Sequence, residues 1–181
     1  KKSMKHLKLG SRGSKLALWQ ADYVASQLSK VVPDLNVEVK VIKTKGDKIL
    51  DVALSRIGDK GLFTREIEKE LLDGSIDMAI HSMKDLPSQL SSGLCIAAVL
   101  ERENPGDVLI SRQDYKFYEL PEGAVIGTSS LRRISQIRAL RPDINLVDMR
   151  GNVETRINKM YEQELDGVVL AYAGVKRLGF E

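Results

Sequence analysis

In the stretch IDMAIHSMKDLP, residues 76–87, an apolar run is followed by two side chains that could take part in binding or catalysis, Lys84 and Asp85. Pro87 disfavours helix at the preceding residue and offers no N–H, so the chain is predicted to turn there and to present the pair at the end of a strand. Open α/β sheets bind their ligands at such strand ends. Lys84 and Asp85 are therefore candidate functional residues. The alternative is that they form an ordinary surface ion pair.

Further candidate groups are cations and hydroxyls that recur beside glycines and where predicted loops become helices. The free N–H groups and positive dipole at a helix start attract an anion, and arginine adds a planar fork that matches a carboxylate. Cations scattered in this way are more typical of a site for a small polyanion than of a nucleic-acid surface. The alternative for the adjacent arginines is that they lie on a solvent-exposed helix face, as most such pairs do. The groups are Arg12, Lys45, Lys84, Arg132, Arg133, Arg150, Arg156, Ser11, Ser14, Thr128, Ser129 and Ser130.

Metal and nucleotide motifs are missing from the sequence. The loop GSRGSK lacks the spacing of a P-loop, and no G-x-G-x-x-G follows a strand. With one cysteine and two histidines, the chain offers neither an internal disulfide nor a zinc cluster, so no metal is predicted. Cys95 opens the apolar run CIAAVL and is predicted to be a buried hydrophobic residue.

Helices and strands alternate along the chain. Apolar side chains at three- and four-residue spacing predict a helix from its N-cap Ser14 to Val31, and LNVEVKV alternates as a strand. The patterns then predict a helix in LFTREIEKELL, a strand over residues 76–80 and a strand in CIAAVL. Residues 101–109 and 111–123 contain Pro and Gly and are predicted to connect two units.

The second half of the sequence echoes the first. LGSRGSKLALWQ resembles IGTSSLRRISQI, VKVIKTKGD resembles INLVDMRGN, and LLDGSIDMAIHSMKDL resembles QELDGVVLAYAGVKRL. We therefore predict an α/β fold of two similar lobes with a cleft between them, with domains at residues 1–103 and 104–181. General similarity among α/β segments is the alternative explanation.

Composition indicates a globular protein. Its 181 residues are 43% hydrophobic and 29% charged, with neither a membrane-spanning run nor a signal peptide visible. We predict a cytoplasmic location, an organelle being the alternative if a transit peptide was removed. The net charge of +3 and the few aromatic residues give no reason to expect nucleic acid. The predicted partner is a small polycarboxylate, and neither a membrane nor a nucleic acid is expected.

Six motifs, in order over residues 9–180, resemble those of the porphobilinogen deaminase (hydroxymethylbilane synthase) family. They are IKTKGD, GDKGLFTREIE, IDMAIHSMKDLP, GTSSLRR, RGNVETR and LAYAGVKRLG. The resemblance implies lobes of the type II periplasmic-binding-protein fold. It also implies head-to-tail condensation of four porphobilinogen units, with release of ammonia, on a covalently held dipyrromethane cofactor.

The resemblance also assigns roles to residues. Asp85 is expected to be the catalytic carboxylate that stabilises positive charge on pyrrole nitrogens and assists proton transfers. The segment 47–61 resembles the family's mobile loop. The residues expected to bind the cofactor are Lys84, Ser82, Asp47, Thr128, Ser130, Arg132, Arg133 and Gly151. Those expected to bind substrate are Arg12, Ser14, Gln20, Arg150, Arg156 and Arg177.

The sequence also departs from the family pattern. Family members continue into a third domain, which carries the cysteine that bears dipyrromethane, and Cys95 does not match that position. The family's first domain is completed by a strand that returns after the second, so this chain is expected to lack that strand. We expect a fragment, or a second chain that supplies the remainder, and no porphobilinogen turnover by this chain alone. The rival hypothesis is a two-lobed module that binds a small polycarboxylate anion without catalysis.

Overall fold

The computed structural model describes residues 5–48 and 61–180. They form two compact units, the first ending at Leu100 and the second beginning at Glu101. Most of the segment 47–61, predicted to be a mobile loop, lies outside the described residues. Among the helices of the described ranges, none is both long enough and apolar enough to cross a bilayer.

The first unit is built on a three-stranded parallel sheet. Strand β1 (Lys5–Ser11) lies between β2 (Leu35–Val41) and β3 (Met78–Ala79). Helix α1 (Lys15–Val31) connects the first two strands and begins as predicted, with the Ser14 hydroxyl accepting a hydrogen bond from the Ala17 N–H. The predicted strand LNVEVKV is also confirmed. The remaining elements are α2 (Lys45–Lys48), α3 (Arg65–Leu72) and a 3₁₀ turn (Met83–Asp85).

Helix α3 packs one apolar stripe on this sheet. Ile67 is fully buried and contacts Ile42 and Ile76, with Leu71 beside them. Gly10 in β1 allows this close packing, because a Cβ there would lie 2.3 Å from the Ile76 Cδ1. The end of β1 is thereby fixed against the chain that leads to the Lys84-Asp85 turn.

The second unit has a four-stranded sheet. Its order is β4 (Asp107–Ser111), β7 (Gly167–Ala171), β5 (Val125–Gly127) and β6 (Asn145–Val147), and only β4 runs antiparallel to its neighbour among these described pairs. Its helices are α4 (Leu131–Leu140), α5 (Val153–Glu162) and α6 (Tyr172–Arg177), with a 3₁₀ turn at Phe117–Glu119. Strand β7 is buried almost throughout, as expected for a central strand.

The two sheets share one topology. The order β2-β1-β3 in the first unit matches the order β6-β5-β7 in the second, and in both units a helix leads from the central strand to its sequence neighbour. The equivalent strands carry the segments whose sequences echo each other. The predicted α/β fold with two similar halves is therefore confirmed, and β4 is an addition to the second half.

Three predictions about local structure were wrong, and the strand predicted over residues 76–80 forms only at Met78–Ala79. Residues 95–100 have no regular secondary structure, and Cys95 is exposed instead of buried, because no described strand pairs with this apolar segment. The predicted connection at 101–109 contains the start of β4, which forms by pairing with the distant β7. Helix α3 begins at Arg65 instead of residue 62, since Gly61 adopts a φ of +86° and residues 61–64 form a turn.

Candidate binding site

In the first unit, Arg12 lies between two carboxylates. Its Nε donates a hydrogen bond to the Asp47 Oδ1 at 3.0 Å, and its Nη1 lies 3.8 Å from the Asp85 Oδ2. The guanidinium carbon lies 4.2 Å from the centre of the Phe63 ring, and the side chain is 21% exposed. Arg12 is thus held by charge on two sides and by an aromatic face.

Asp47 is itself fixed by the loop that precedes it. Its Oδ2 accepts hydrogen bonds from the Thr44 N–H at 3.2 Å and from the Thr44 hydroxyl at 2.8 Å. Burial alone would raise the pKa of Asp47, but the hydrogen bonds from Arg12 and Thr44 outweigh it and lower that pKa below its ordinary value. Asp47 is therefore held as an anion beside Arg12.

The 3₁₀ turn positions Asp85, as the Leu-Pro signal predicted. The Asp85 N–H donates to the Ser82 carbonyl at 2.9 Å, and the Ser82 hydroxyl donates to the Gln20 Oε1 at 3.1 Å, which ties the turn to α1. Asp85 is 28% exposed, and Lys84 is exposed beside it. Burial lowers the pKa of the neighbouring His81, although Asp85 and Glu68 oppose that shift. The turn thus presents a carboxylate and an ammonium group together.

In the second unit, hydroxyl residues connect β5 to α4. Thr128 is buried, and its Oγ1 accepts a hydrogen bond from the Ser130 N–H at 3.3 Å. The Ser129 hydroxyl donates to the Met149 carbonyl at 3.0 Å and accepts from the Met149 N–H at 2.9 Å. Ser130 makes no side-chain capping bond at the start of α4. Ser129 is therefore structural, whereas Ser130 leaves the helix start without a cap from its own side chain.

Arg132 and Arg133 share one carboxylate, that of Asp107. The Arg133 Nη2 donates to the Asp107 Oδ1 at 2.8 Å, and the Arg132 Nη1 lies 2.7 Å from the Asp107 Oδ2. Arg133 also donates from Nη1 to the Val169 carbonyl at 2.9 Å. Burial tends to raise the pKa of Asp107, but the two arginines lower it below its ordinary value. Arg132 is 57% exposed and Arg133 only 11%.

Arg156 lies near the positive charges of both Arg133 and Arg150. The Arg156 Nε donates to the Gly151 carbonyl at 2.7 Å, and burial together with the charges of Arg133 and Arg150 lowers the pKa of Arg156. Within the described residues, the Arg133 Nε and the Arg150 Nη1 are buried without a hydrogen-bond partner. We call Arg132, Arg133, Arg150 and Arg156 the arginine cluster. Two of its buried N–H groups are thus unpaired within the described residues, and the carboxylate of Asp107 binds two of its members.

The other predicted residues lie near these groups or apart from them. Gly151 precedes α5 with a φ of +118°, where a side chain would be strained. Ser14 caps α1, and Ser11 hydrogen-bonds to backbone carbonyls. The pKa of Glu103 is lowered mainly by hydrogen bonds from the Asn104 N–H and from Lys176. The charge of Arg177, at the end of α6, adds a smaller effect in the same direction. The Lys45 N–H donates to the Glu66 Oε1 at 3.0 Å.

Sequence reasoning missed three residues that shape these sites. Thr44 and Phe63 contact Asp47 and Arg12, and Asp107 binds two members of the arginine cluster. Phe63 lies in the predicted helix LFTREIEKELL, and Asp107 lies in a predicted connecting segment. The one local signal for Asp107 is its place at the start of the apolar run VLI.

Comparison with known proteins gives relatives along the whole chain. A family model described as "Porphobilinogen deaminase, dipyromethane cofactor binding domain" matches residues 7–181. Porphobilinogen deaminase of Syntrophomonas wolfei is 72% identical over 178 residues, which are 98% of this chain and 58% of the relative. That of Carboxydothermus hydrogenoformans is 62% identical and covers 98% of this chain and 57% of the relative. The chain thus spans less than two thirds of the length of these relatives.

A solved structure shares the fold at low sequence identity. The periplasmic VFT2 domain of Bordetella pertussis BvgS matches with a TM-score of 0.50 and 16% identity, covering 94% of this chain and 68% of that one. At this identity the match concerns the fold alone, and it agrees with the predicted periplasmic-binding-protein type.

Proposed function

This chain belongs to the porphobilinogen deaminase family, and we propose on that premise that it supplies the anion-binding groups and the catalytic carboxylate of a hydroxymethylbilane synthase. The reaction joins four porphobilinogen units head to tail and releases ammonia at each step. Each unit carries an acetate and a propionate, so substrate and growing product are polycarboxylates. The chemistry therefore needs several fixed cations and one fixed carboxylate.

The arginine cluster is the observation that carries this proposal. Several guanidinium groups lie close together, and two of their buried N–H groups lack a hydrogen-bond partner within the described residues. Burying charge and donors without partners costs free energy, so such an arrangement points to a ligand that supplies the missing acceptors. Carboxylates fit because arginine binds them with two parallel hydrogen bonds.

The same donors fit a dipyrromethane, which bears carboxylates of the same kind. When bound, a dipyrromethane supplies the pyrrole carbon to which the first porphobilinogen is joined. Arg132 and Arg133 would bind its carboxylates, with hydroxyl and backbone groups at Thr128, Ser130 and Gly151. Cys95, which does not match the family's attachment position, is proposed not to carry it.

Asp85 is the proposed catalytic carboxylate. Loss of ammonia from porphobilinogen leaves positive charge that is shared with a pyrrole nitrogen, and a fixed carboxylate stabilises such charge and assists proton transfer. The 3₁₀ turn and the Ser82–Gln20 hydrogen bond hold Asp85 in place, while its side chain remains partly accessible. Lys84, exposed beside it, is proposed to bind a ligand carboxylate.

Calorimetric titration of this chain with porphobilinogen tests the carboxylate site. We expect saturable binding that weakens by roughly tenfold or more in Arg150→Met, since a charged hydrogen bond contributes about 1.5–3 kcal/mol. Arg138→Met, which removes an exposed arginine of α4, is the matched control and should bind like the wild type. Absence of binding by the folded wild-type chain, or equal affinity in Arg150→Met, would contradict the proposal.

The binding-module hypothesis has no separate support. The sequence relatives are named as porphobilinogen deaminases, while the match to a periplasmic domain concerns the fold only. The enzyme family is therefore the better account of the arginine cluster and Asp85 together.

A further inference from the structure

Asp107 occupies a special place in the second unit. It is the first residue of β4, the antiparallel strand that the second sheet has in addition to the shared topology, and it pairs in register with Ala171 of β7. Each of its carboxylate oxygens binds one arginine: Oδ1 binds Arg133, and Oδ2 binds Arg132. The added strand therefore brings one carboxylate to two members of the arginine cluster.

The orientation of Arg133 depends on β4 and β7 together. Its Nη1 donates to the Val169 carbonyl of β7, and its Nη2 donates to Asp107 of β4. Both terminal nitrogens are thus held by protein acceptors, while Nε stays buried without a partner in the described part of the chain. Two fixed bonds leave a planar guanidinium little freedom to rotate.

We propose that Asp107 is a positioning residue that holds Arg132 and Arg133 in the orientation that binds a carboxylate ligand. The inference rests on the proposed function, because it concerns the same arginine cluster. Asp107 acts through the two arginines and is not assigned a contact with the ligand.

Charge supplies the second reason for this role. Arg156 lies close enough to Arg133 for the two charges to repel each other, and the repulsion is strong where side chains are largely buried. Asp107 opposes that repulsion with a full negative charge next to Arg133. Without it, only the Val169 carbonyl would hold the Arg133 side chain, which would turn away from its neighbours and lose its alignment for the ligand.

The test compares the 181-residue wild type with Asp107→Asn, Asp107→Glu and the control Asp143→Asn. Asp143 accepts hydrogen bonds from the Arg141 Nε and Nη2 at 2.8 and 2.6 Å, so the control also removes a charge that binds arginine in the same unit. Two readouts are taken on each folded variant. One is porphobilinogen affinity by calorimetry, and the other is the arginine Nε–H spectrum of ¹⁵N-labelled protein without ligand, with the Arg133 signal assigned by its loss in Arg133→Lys.

We expect Asp107→Asn to weaken porphobilinogen binding roughly tenfold and to broaden or shift the Arg133 Nε–H signal, whereas Asp107→Glu recovers most of the affinity. Asp143→Asn should change neither readout. Equal or tighter binding by Asp107→Asn overturns the positioning role while the proposed function stands. If the wild type itself does not bind, the proposed function fails, and with it a role of Asp107 in ligand binding, whatever the Arg133 signal shows.

Discussion

The two units share a strand order but surround it with opposite charge. In the first unit one guanidinium, that of Arg12, lies between the carboxylates of Asp47 and Asp85. In the second unit the carboxylate of Asp107 is shared by Arg132 and Arg133, and Arg156 lies near enough to Arg133 and to Arg150 to be repelled by both. The two units therefore share a fold but differ in their charged contacts. In the first unit Arg12 is paired with carboxylates of the same unit, whereas in the second unit Arg133 and Arg150 each have a buried N–H group without a hydrogen-bond partner in the described residues.

The helix starts differ in the same sense. Ser14 caps α1 with its own side chain, whereas Ser130, at the equivalent place before α4, makes no such bond. A capped start has satisfied one of its free N–H groups, and an uncapped one keeps it for another acceptor. The first unit thus satisfies one N–H group of α1 with its own N-cap side chain, whereas the start of α4 in the second unit has no cap from Ser130.

Replacing Arg12 should produce the largest effect on stability. Arg12→Met leaves Asp47 and Asp85 partly buried without their cation, so we expect a loss of about 3 kcal/mol in the free energy of unfolding of the first unit. The chain has a single tryptophan, Trp19, which lies in α1 of that unit. Urea unfolding followed by its fluorescence measures the loss, and Lys84→Met, which removes an exposed cation of the same unit, is the control.

An Arg12→Met protein as stable as Lys84→Met would mean that the two carboxylates do not depend on Arg12. The contrast between a first unit whose arginine is paired with carboxylates and a second unit whose arginines have unpaired N–H groups would then be wrong.

Mild acid should destabilise the first unit selectively. Burial lowers the pKa of His81, so the unfolded chain binds more protons than the folded one as pH falls below the ordinary histidine value of about 6.5. The free energy of unfolding is therefore highest well above that pH and declines as the pH falls through it towards 5, by at most about 1.4 kcal/mol per pH unit. Both histidines, His6 and His81, lie in this unit.

Trp19 fluorescence in urea at pH 7 and pH 5 measures the slope. His81→Gln should flatten it, whereas His6→Gln, which removes an exposed side chain 3.3 Å from Glu38, should leave it in place. A slope that survives in His81→Gln would assign the acid sensitivity to other groups.

Local sequence signals predicted the elements that depend on near neighbours. Ser14 as a cap, α1 up to Val31 and the turn before Pro87 all follow from residues within one or two turns of each other. Residues 95–100 and β4 were misjudged because strands require partners far along the chain. CIAAVL has strand composition without a described partner, while DVLIS finds β7 some 60 residues later.

The site was predictable in its residue types but not in its contacts. The motifs pointed to Asp85 and to the arginines, and the structure brings Arg133 and Arg150 each near Arg156. Nothing in the sequence indicates that Asp107, 26 residues before Arg133, accepts its hydrogen bond, or that Thr44 holds Asp47. Such pairings arise from strand register and loop closure, which local patterns do not encode.

Replacing Arg150 should have the smallest effect on stability, and its sign should be the reverse of that for Arg12. The Arg150 Nη1 is buried without a hydrogen-bond partner in the described residues, and its charge repels Arg156. Arg150→Met removes both costs, so we expect a gain of about 0.5 kcal/mol in the free energy of unfolding of the second unit even as carboxylate binding weakens. Amide hydrogen exchange in β7 measures it, with Arg138→Met as the control.

A loss of protection in β7 of Arg150→Met would mean that Arg150 supports the fold, and the second unit would then resemble the first. A gain of protection in β7 would show that Arg150 and Arg12 have different roles. A side chain whose removal stabilises the protein while weakening ligand binding is retained for the ligand, and one whose removal only destabilises is retained for the fold.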